Sequence, residues 1–127
     1  MTRSVEVLIV NYNAGEALVR CVRSVAAQAP AAGMTVIDNA STDGSLEHLR
    51  EQCGSLASLL ILENPANHGF AAAVNQAVRQ SGRDSPFLLI LNPDCVLEDG
   101  CLDALVEALE GDPAAALAGP LVIDRDG

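Results

Sequence analysis

Four short apolar runs in this chain each stop at an amide or a carboxylate: Asn11 after 5–10, Asp38 after 34–37, Glu63 and Asn64 after 59–62, and Asn92-Pro93-Asp94 after 87–91. The last stop is the most suggestive chemically. Pro93 has no N–H for a strand ladder and biases Asn92 away from helical geometry, so Asp94 is expected in a turn just past the run. A carboxylate there suits a ligand for a hard cation, or an acid or base. Taken alone, Asn-Pro-Asp is explained more simply as an ordinary turn that stops a strand.

The elements that would position these residues alternate. Residues 5–10 are mostly apolar and β-branched and predict a first strand; Asn13 suits a helix N-cap, with Glu16 three residues on as the other half of a capping box. The helix that follows runs to about residue 28, with Leu18, Cys21, Val22 and Val25 on its apolar face and Arg20 and Arg23 largely off it. Pro30 and Gly33 mark a loop, 34–37 a second strand, and 45–52 a second helix that stops at Gly54. A third strand over 59–62 leads through a loop to a helix over 71–80, with Val74 and Val78 inward and Asn75 one position off the stripe. Residues 87–91, apolar without alternation, read as a strand buried on both faces. Asp99 is expected to cap a helix over 100–109, and 115–123 to give one or two more extended pieces.

Strands alternating with helices at this spacing imply α/β architecture: three layers, with a mostly parallel sheet and helices on both faces. Right-handed crossovers then bring every strand's carboxyl end to one edge, where open sheets of this kind take ligands. Helix capping alone would account for Asn13, Thr42, Asp43 and Asp99. It accounts less well for Asp38 and Asp94, each of which follows a strand and precedes the next helix by several residues.

Composition narrows the chemistry. The chain has 127 residues, a single-domain length, and its seven basic residues are all arginines, set against seventeen acids for a net charge of −10. So acidic a chain lacks the basic footprint of a nucleic-acid partner. Without lysine there is no P-loop lysine, Schiff base or receiver-type lysine. No apolar run approaches a membrane span and no signal peptide is evident, so the chain reads as cytoplasmic. Cys21, Cys53, Cys95 and Cys101 form no CxxC pair and read as reduced thiols in apolar or helical patterns. The first loop lacks the glycines of a dinucleotide fold. His48 and His68 have no evident triad partner, and no serine lies in a nucleophile elbow.

Residues 7–13 (VLIVNYN), 36–45 (VIDNASTDGS), 67–75 (NHGFAAAVN) and 91–94 (LNPD) resemble, in order and spacing, the nucleotide-binding half of family 2 glycosyltransferases, and most closely their rhamnosyltransferase-like branch. The resemblance implies a GT-A fold, a dTDP- or UDP-sugar donor and Mg²⁺ or Mn²⁺. It implies that Asn11, Tyr12 and Asn13 lie against base and ribose, with the Tyr12 ring offering a face, and that Asp38 accepts the imide N–H of uracil or thymine. Asn67, Gly69, Phe70 and Asn75 would close over base and diphosphate. Asp94 matches the last acid of the family's metal-binding DxD motif, and Asn92 replaces its usual first Asp, a weaker ligand for a hard cation.

These implications make residues 1–127 a single donor domain of an inverting glycosyltransferase, lacking the C-terminal acceptor half. The donor sugar, rhamnose being one option, would pass to a glycan or lipid-linked acceptor, and a lipid-linked one would bring the protein to the inner face of a membrane. The catalytic base is expected beyond residue 127; Asp124 and Asp126, in an apparent turn, are not assigned that role. An apolar end over 114–123 is expected to promote self-association. The rival readings are a nucleotide-sugar-binding or interaction module without chemistry, and a nucleotidyltransferase, for which no basic phosphate loop is seen.

Overall fold

A computed structural model describes residues 4–81 and 84–124. Among them the elements follow as β1 (Val5–Asn11), α1 (Ala17–Gln28), β2 (Gly33–Asp38), α2 (Ser45–Cys53), β3 (Leu59–Glu63), α3 (Phe70–Gln80), β4 (Phe87–Leu91) and α4 (Cys101–Gly111). The sheet order is β3-β2-β1-β4 and every pairing is parallel. All four carboxyl ends therefore share one edge. Chain order reverses between β1 and β4, so the crevice where such sheets take ligands lies beyond Asn11 and Leu91.

The period of two along each strand divides the core between the two faces. On one face Val5, Val7, Ile9, Met34, Val36 and Leu91 pack under Leu18, Cys21, Val22 and Val25 of α1, Leu46 and Leu49 of α2, and Leu102 of α4. The foreseen apolar stripe of α1 is thus fully buried. On the other face Leu8, Val10 and Ile37 are covered by α3, through Ala73 and Ala77 with Val74 partly buried. Burying each such aliphatic side chain stabilises the fold by about 1.5–3 kcal/mol.

Several expectations need correction. β4 is an edge strand, paired only with β1 among the described residues, and Leu88 and Ile90 are 52% and 50% exposed. They share the face that α3 covers over β1 and β2, and α3 does not reach them. Val78 points outward rather than inward, being 45% exposed. Gly33 opens β2 instead of marking the loop before it. Residues 115–123 form no strand, and Leu117, Leu121, Val122 and Ile123 lie exposed. Asp126 falls outside the described residues.

The predicted caps also fail. α1 begins from Glu16 with no side-chain cap bond, and α4 begins from Gly100, in left-handed geometry, also without one. Asp99 instead accepts a hydrogen bond from Gln28 Nε2. Gly54 does end α2, though with ordinary helical φ; a Cβ there would meet the Arg50 carbonyl oxygen at 2.4 Å, so glycine is required for space.

Candidate functional site

The last residues of β1 and β2 are register partners, Asn11 beside Asp38, and both point toward α1 and α2. Both are buried, Asp38 being 2% exposed. Asn11 Nδ2 donates to Asp38 Oδ1 at 2.8 Å, Ser45 Oγ at 2.9 Å and Ser41 Oγ at 3.2 Å. One of its two hydrogens must therefore be shared. Asp38 Oδ2 accepts the Ser41 N–H at 3.0 Å. The Asp38 carboxylate, expected as an acceptor for a pyrimidine base, accepts one hydrogen bond on each oxygen inside the fold, because the neighbouring strand ends in a donor. It thereby also fixes the loop after β2.

A second layer of bonds ties that loop to the one after β1. Asn13 does not cap α1: its φ is +54°, its Oδ1 accepts the Thr42 N–H at 2.7 Å, and its own N–H donates to Ser41 Oγ at 2.9 Å. Asp43 Oδ2 accepts the Gly15 N–H, and Oδ1 the Ser45 N–H, each at 2.9 Å. Hydrogen bonds from the Ser45 hydroxyl and N–H, with a further one from Gly15, hold the Asp43 carboxyl below its usual range. Asn13 and Ala40, at φ +62°, are the non-glycine residues with left-handed backbone among those described. Such strain persists where surrounding bonds over-determine it. Tyr12 stands on this platform, 55% exposed.

After β4, the Cys95 N–H donates to the Asn92 carbonyl at 3.1 Å and closes a turn with Pro93 at its second position. Cys21 donates its S–H to the same carbonyl at 3.5 Å. Burial pushes that thiol up to about 12, with Cys95 and Asp94 adding to the effect, so it stays a donor. The Asn92 and Asp94 side chains are left exposed at the rim. Among the described residues no group of three or more His, Cys, Asp and Glu could hold a metal ion. The Asp94 carboxylate accepts only the weak Cys95 S–H at 4.0 Å among the described residues, and a single exposed carboxylate beside an amide fits a cation that brings most of its ligands as diphosphate oxygens and water.

The third loop contributes differently. Glu63 is turned back to Arg50 of α2, Oε2 accepting from Nη2 at 2.7 Å, and is spent there. Asn64 is buried and bonds to Asn39 and to Gln76 of α3. Asn67 Oδ1 accepts the Gly69 N–H at 2.9 Å, and Gly69, at φ +88° and ψ 167°, adopts backbone that only glycine tolerates well. Phe70, the first residue of α3, is 51% exposed. Asn75 is exposed further along that helix. Ser41, Ser45, Asn39 and Gln76 were not foreseen as site residues. A signal existed for Gln76, a polar residue between Ala73 and Ala77 on the stripe that α3 turns to the sheet.

Residues 6–127 match the family described as glycosyl transferase family 2. The chain is 30% identical over 138 residues to the N-acetylglucosaminyl-diphospho-decaprenol L-rhamnosyltransferase of Mycobacterium tuberculosis, an alignment that takes in 100% of this chain and 44% of that protein. The chain thus spans less than half the length of this curated relative. Among solved structures it is similar to the mannosyltransferase PcManGT from Pyrobaculum calidifontis, in complex with GDP-Man and Mn²⁺, at TM-score 0.76 and 25% identity over 89% of this chain and 34% of that one. It is similar in fold to S. aureus TarS 1-349 in complex with UDP-GlcNAc, at TM-score 0.72 and 20% identity over 85% of this chain and 31% of that one.

Proposed function

The chain belongs to glycosyl transferase family 2, and we propose that it is the donor-binding part of an inverting enzyme that takes a sugar from a nucleotide-diphosphate sugar. The observation that carries this reading is the contrast at one rim. Asn11, Asp38, Ser41 and Ser45 are locked into a platform, while Tyr12, Asn92 and Asp94 beside it are left free to meet a ligand. In this reading Tyr12 offers its ring to the base, the Asn11–Asn13 segment lies along base and ribose, and Asn67, Gly69, Phe70 and Asn75 bound the far side. Asp38 holds the platform and has acceptor capacity left for the imide N–H of a pyrimidine base.

Asp94 would hold Mg²⁺ or Mn²⁺ with Asn92 beside it, and the bound cation supplies positive charge to the departing diphosphate. A chain without lysine has few other means of offsetting that charge. The acceptor hydroxyl would attack the anomeric carbon opposite the diphosphate, giving up its proton to a base that we place beyond residue 127. With the rhamnosyltransferase relative in view, we take rhamnose as the first sugar to test and a lipid-linked or free glycan as acceptor. A lipid-linked acceptor would bring the enzyme to the inner face of a membrane. Among the described residues no helix is long and apolar enough to cross one.

The test is calorimetric titration with UDP, dTDP and GDP, with and without Mn²⁺. We expect at least one nucleoside diphosphate to bind, more tightly with Mn²⁺, and Asp94→Ala to lose only the Mn²⁺-dependent part. Absence of binding by all three would sink the donor-site reading.

A further inference from the structure

On the face of the sheet opposite the Asn11–Asp38 platform runs a second polar network. Alternation at the strand ends sends Asp38 to one face and Asn39 to the other, and Asn64 follows Asn39. Gln76 Nε2 donates to Asn64 Oδ1 at 2.7 Å, while Asn64 Nδ2 donates to Gln76 Oε1 at 2.8 Å and to Asn39 Oδ1 at 3.0 Å. Asn39 Nδ2 donates in turn to the Gly69 carbonyl at 3.2 Å. The direction of this chain is set at its end. A backbone carbonyl can only accept, so Asn39 must present its NH₂ to Gly69 and its oxygen to Asn64, which orients Asn64 against Gln76.

We propose that Asn39, Asn64 and Gln76 are positioning residues for the donor site: an amide clamp that fixes the 64–70 loop and the first turn of α3 beside the rim. The proposal rests on reading that rim as the donor site. The clamp's anchors are rigid, since the Asn39 N–H donates to the Asn11 carbonyl at 2.9 Å and the Asn64 N–H to the Asp38 carbonyl at 2.8 Å, each one residue past its strand. Its far end is Gly69, whose carbonyl also accepts the Ala73 N–H at 3.2 Å as α3 begins. Packing alone would not fix that helix. Its fully buried side chains are Ala73 and Ala77, small and without shape, which press on Leu8, Val10 and Ile37 but resist sliding poorly. Directional bonds between buried amides set register where such contacts cannot. Phe70 and Asn67, which we place beside the nucleotide, take their positions from that register.

The test pairs Gln76→Leu, which cuts the clamp, with Ala77→Gly, which loosens the same helix without touching an amide. Nucleotide affinity is measured with UDP, dTDP and GDP plus Mn²⁺, alongside thermal stability and backbone amide exchange at 69–73. We expect Gln76→Leu to weaken the best-bound nucleotide by about tenfold or more, and Ala77→Gly, at comparable loss of stability, by less than about threefold. Exchange at 69–73 should rise in the first variant well beyond the second. Equal losses in the two variants, or unchanged affinity in Gln76→Leu, would overturn the positioning role. If the parent chain binds none of the three nucleotides, the donor-site reading fails by itself. The exchange comparison then decides the clamp: faster exchange confined to Gln76→Leu upholds it, and equal exchange in both variants rejects it.

Discussion

Asp38 and Asp94 are the same side chain at the carboxyl ends of parallel strands, with opposite fates. Asp38 faces a donor on the neighbouring strand end, which bonds to it; Asp94 is lifted by Pro93 into an exposed turn where its carboxylate meets the weak Cys95 S–H at 4.0 Å. Asp38→Ala should therefore lower unfolding free energy by about 1–3 kcal/mol, the cost of losing two hydrogen bonds to a carboxylate and leaving the Ser41 N–H without its acceptor, read from urea denaturation. Asp94→Ala should change it by less than about 0.5 kcal/mol. A stability loss in Asp94→Ala as large as that in Asp38→Ala would contradict these assignments. Both acids were legible as strand-end residues. Which one was free was not, because that depends on register, and register pairs Asp38 with Asn11 from twenty-seven residues away. Asp43 carries the pH dependence at this scale. Its folded pKa is lowered, so the stability it contributes is fully present above the ordinary carboxylate value of about 4 and is lost as pH falls through the lower folded value. Comparing urea midpoints at pH 7 and pH 3 should show a smaller acid loss in Asp43→Asn than in the parent.

Among the elements, the order and type of those from β1 to α4 could be read from patterning, with ends within a few residues of those expected, while the extended pieces expected over 115–123 form no strand. The run 87–91 shows where patterning stops. A continuous apolar stretch fits a strand covered on both faces, and it fits equally an edge strand whose second face is bare. Only the topology distinguishes them, since α3 spends its width on β1 and β2. The caps failed for a related reason: Asn13 found a partner in the loop after β2, and a local cap cannot compete with a crossing segment that needs an acceptor. The β4 edge, unpaired on one side among the described residues, with half-exposed Leu88 and Ile90, and the exposed apolar side chains from Leu117 to Ile123 are each prone to pair with a copy of this chain. We expect concentration-dependent self-association in sedimentation velocity, reduced in Leu88→Lys/Ile90→Lys. A monomer at all concentrations, in parent and variant alike, would show that the strong net negative charge outweighs this surface.

For the molecule as a whole, the rim supplies what donor binding needs, and the transfer step asks for more. In the proposed reading, binding would draw on the platform under Tyr12, on Asp94 as ligand of a cation, and on the α3 loop. Transfer also needs the acceptor hydroxyl held against the anomeric carbon and a base within hydrogen-bond reach of its proton. Base assistance contributes on the order of 10² to 10⁴ in rate, and holding the two reactants together contributes more. The acidic side chains of the rim already have other work: Asp38 and Asp43 hold the platform and Glu63 pairs with Arg50, and Asp94 is the proposed ligand of the cation. The 127-residue chain should therefore bind a nucleotide-diphosphate sugar with Mn²⁺ and transfer no sugar, although slow hydrolysis of the donor could survive because charge on the leaving diphosphate is still offset. Incubation with dTDP-rhamnose and UDP-sugars, with and without glycan acceptors, followed by mass spectrometry of the products, checks this. Efficient glycosylation would place the base among these residues and contradict its proposed place beyond residue 127.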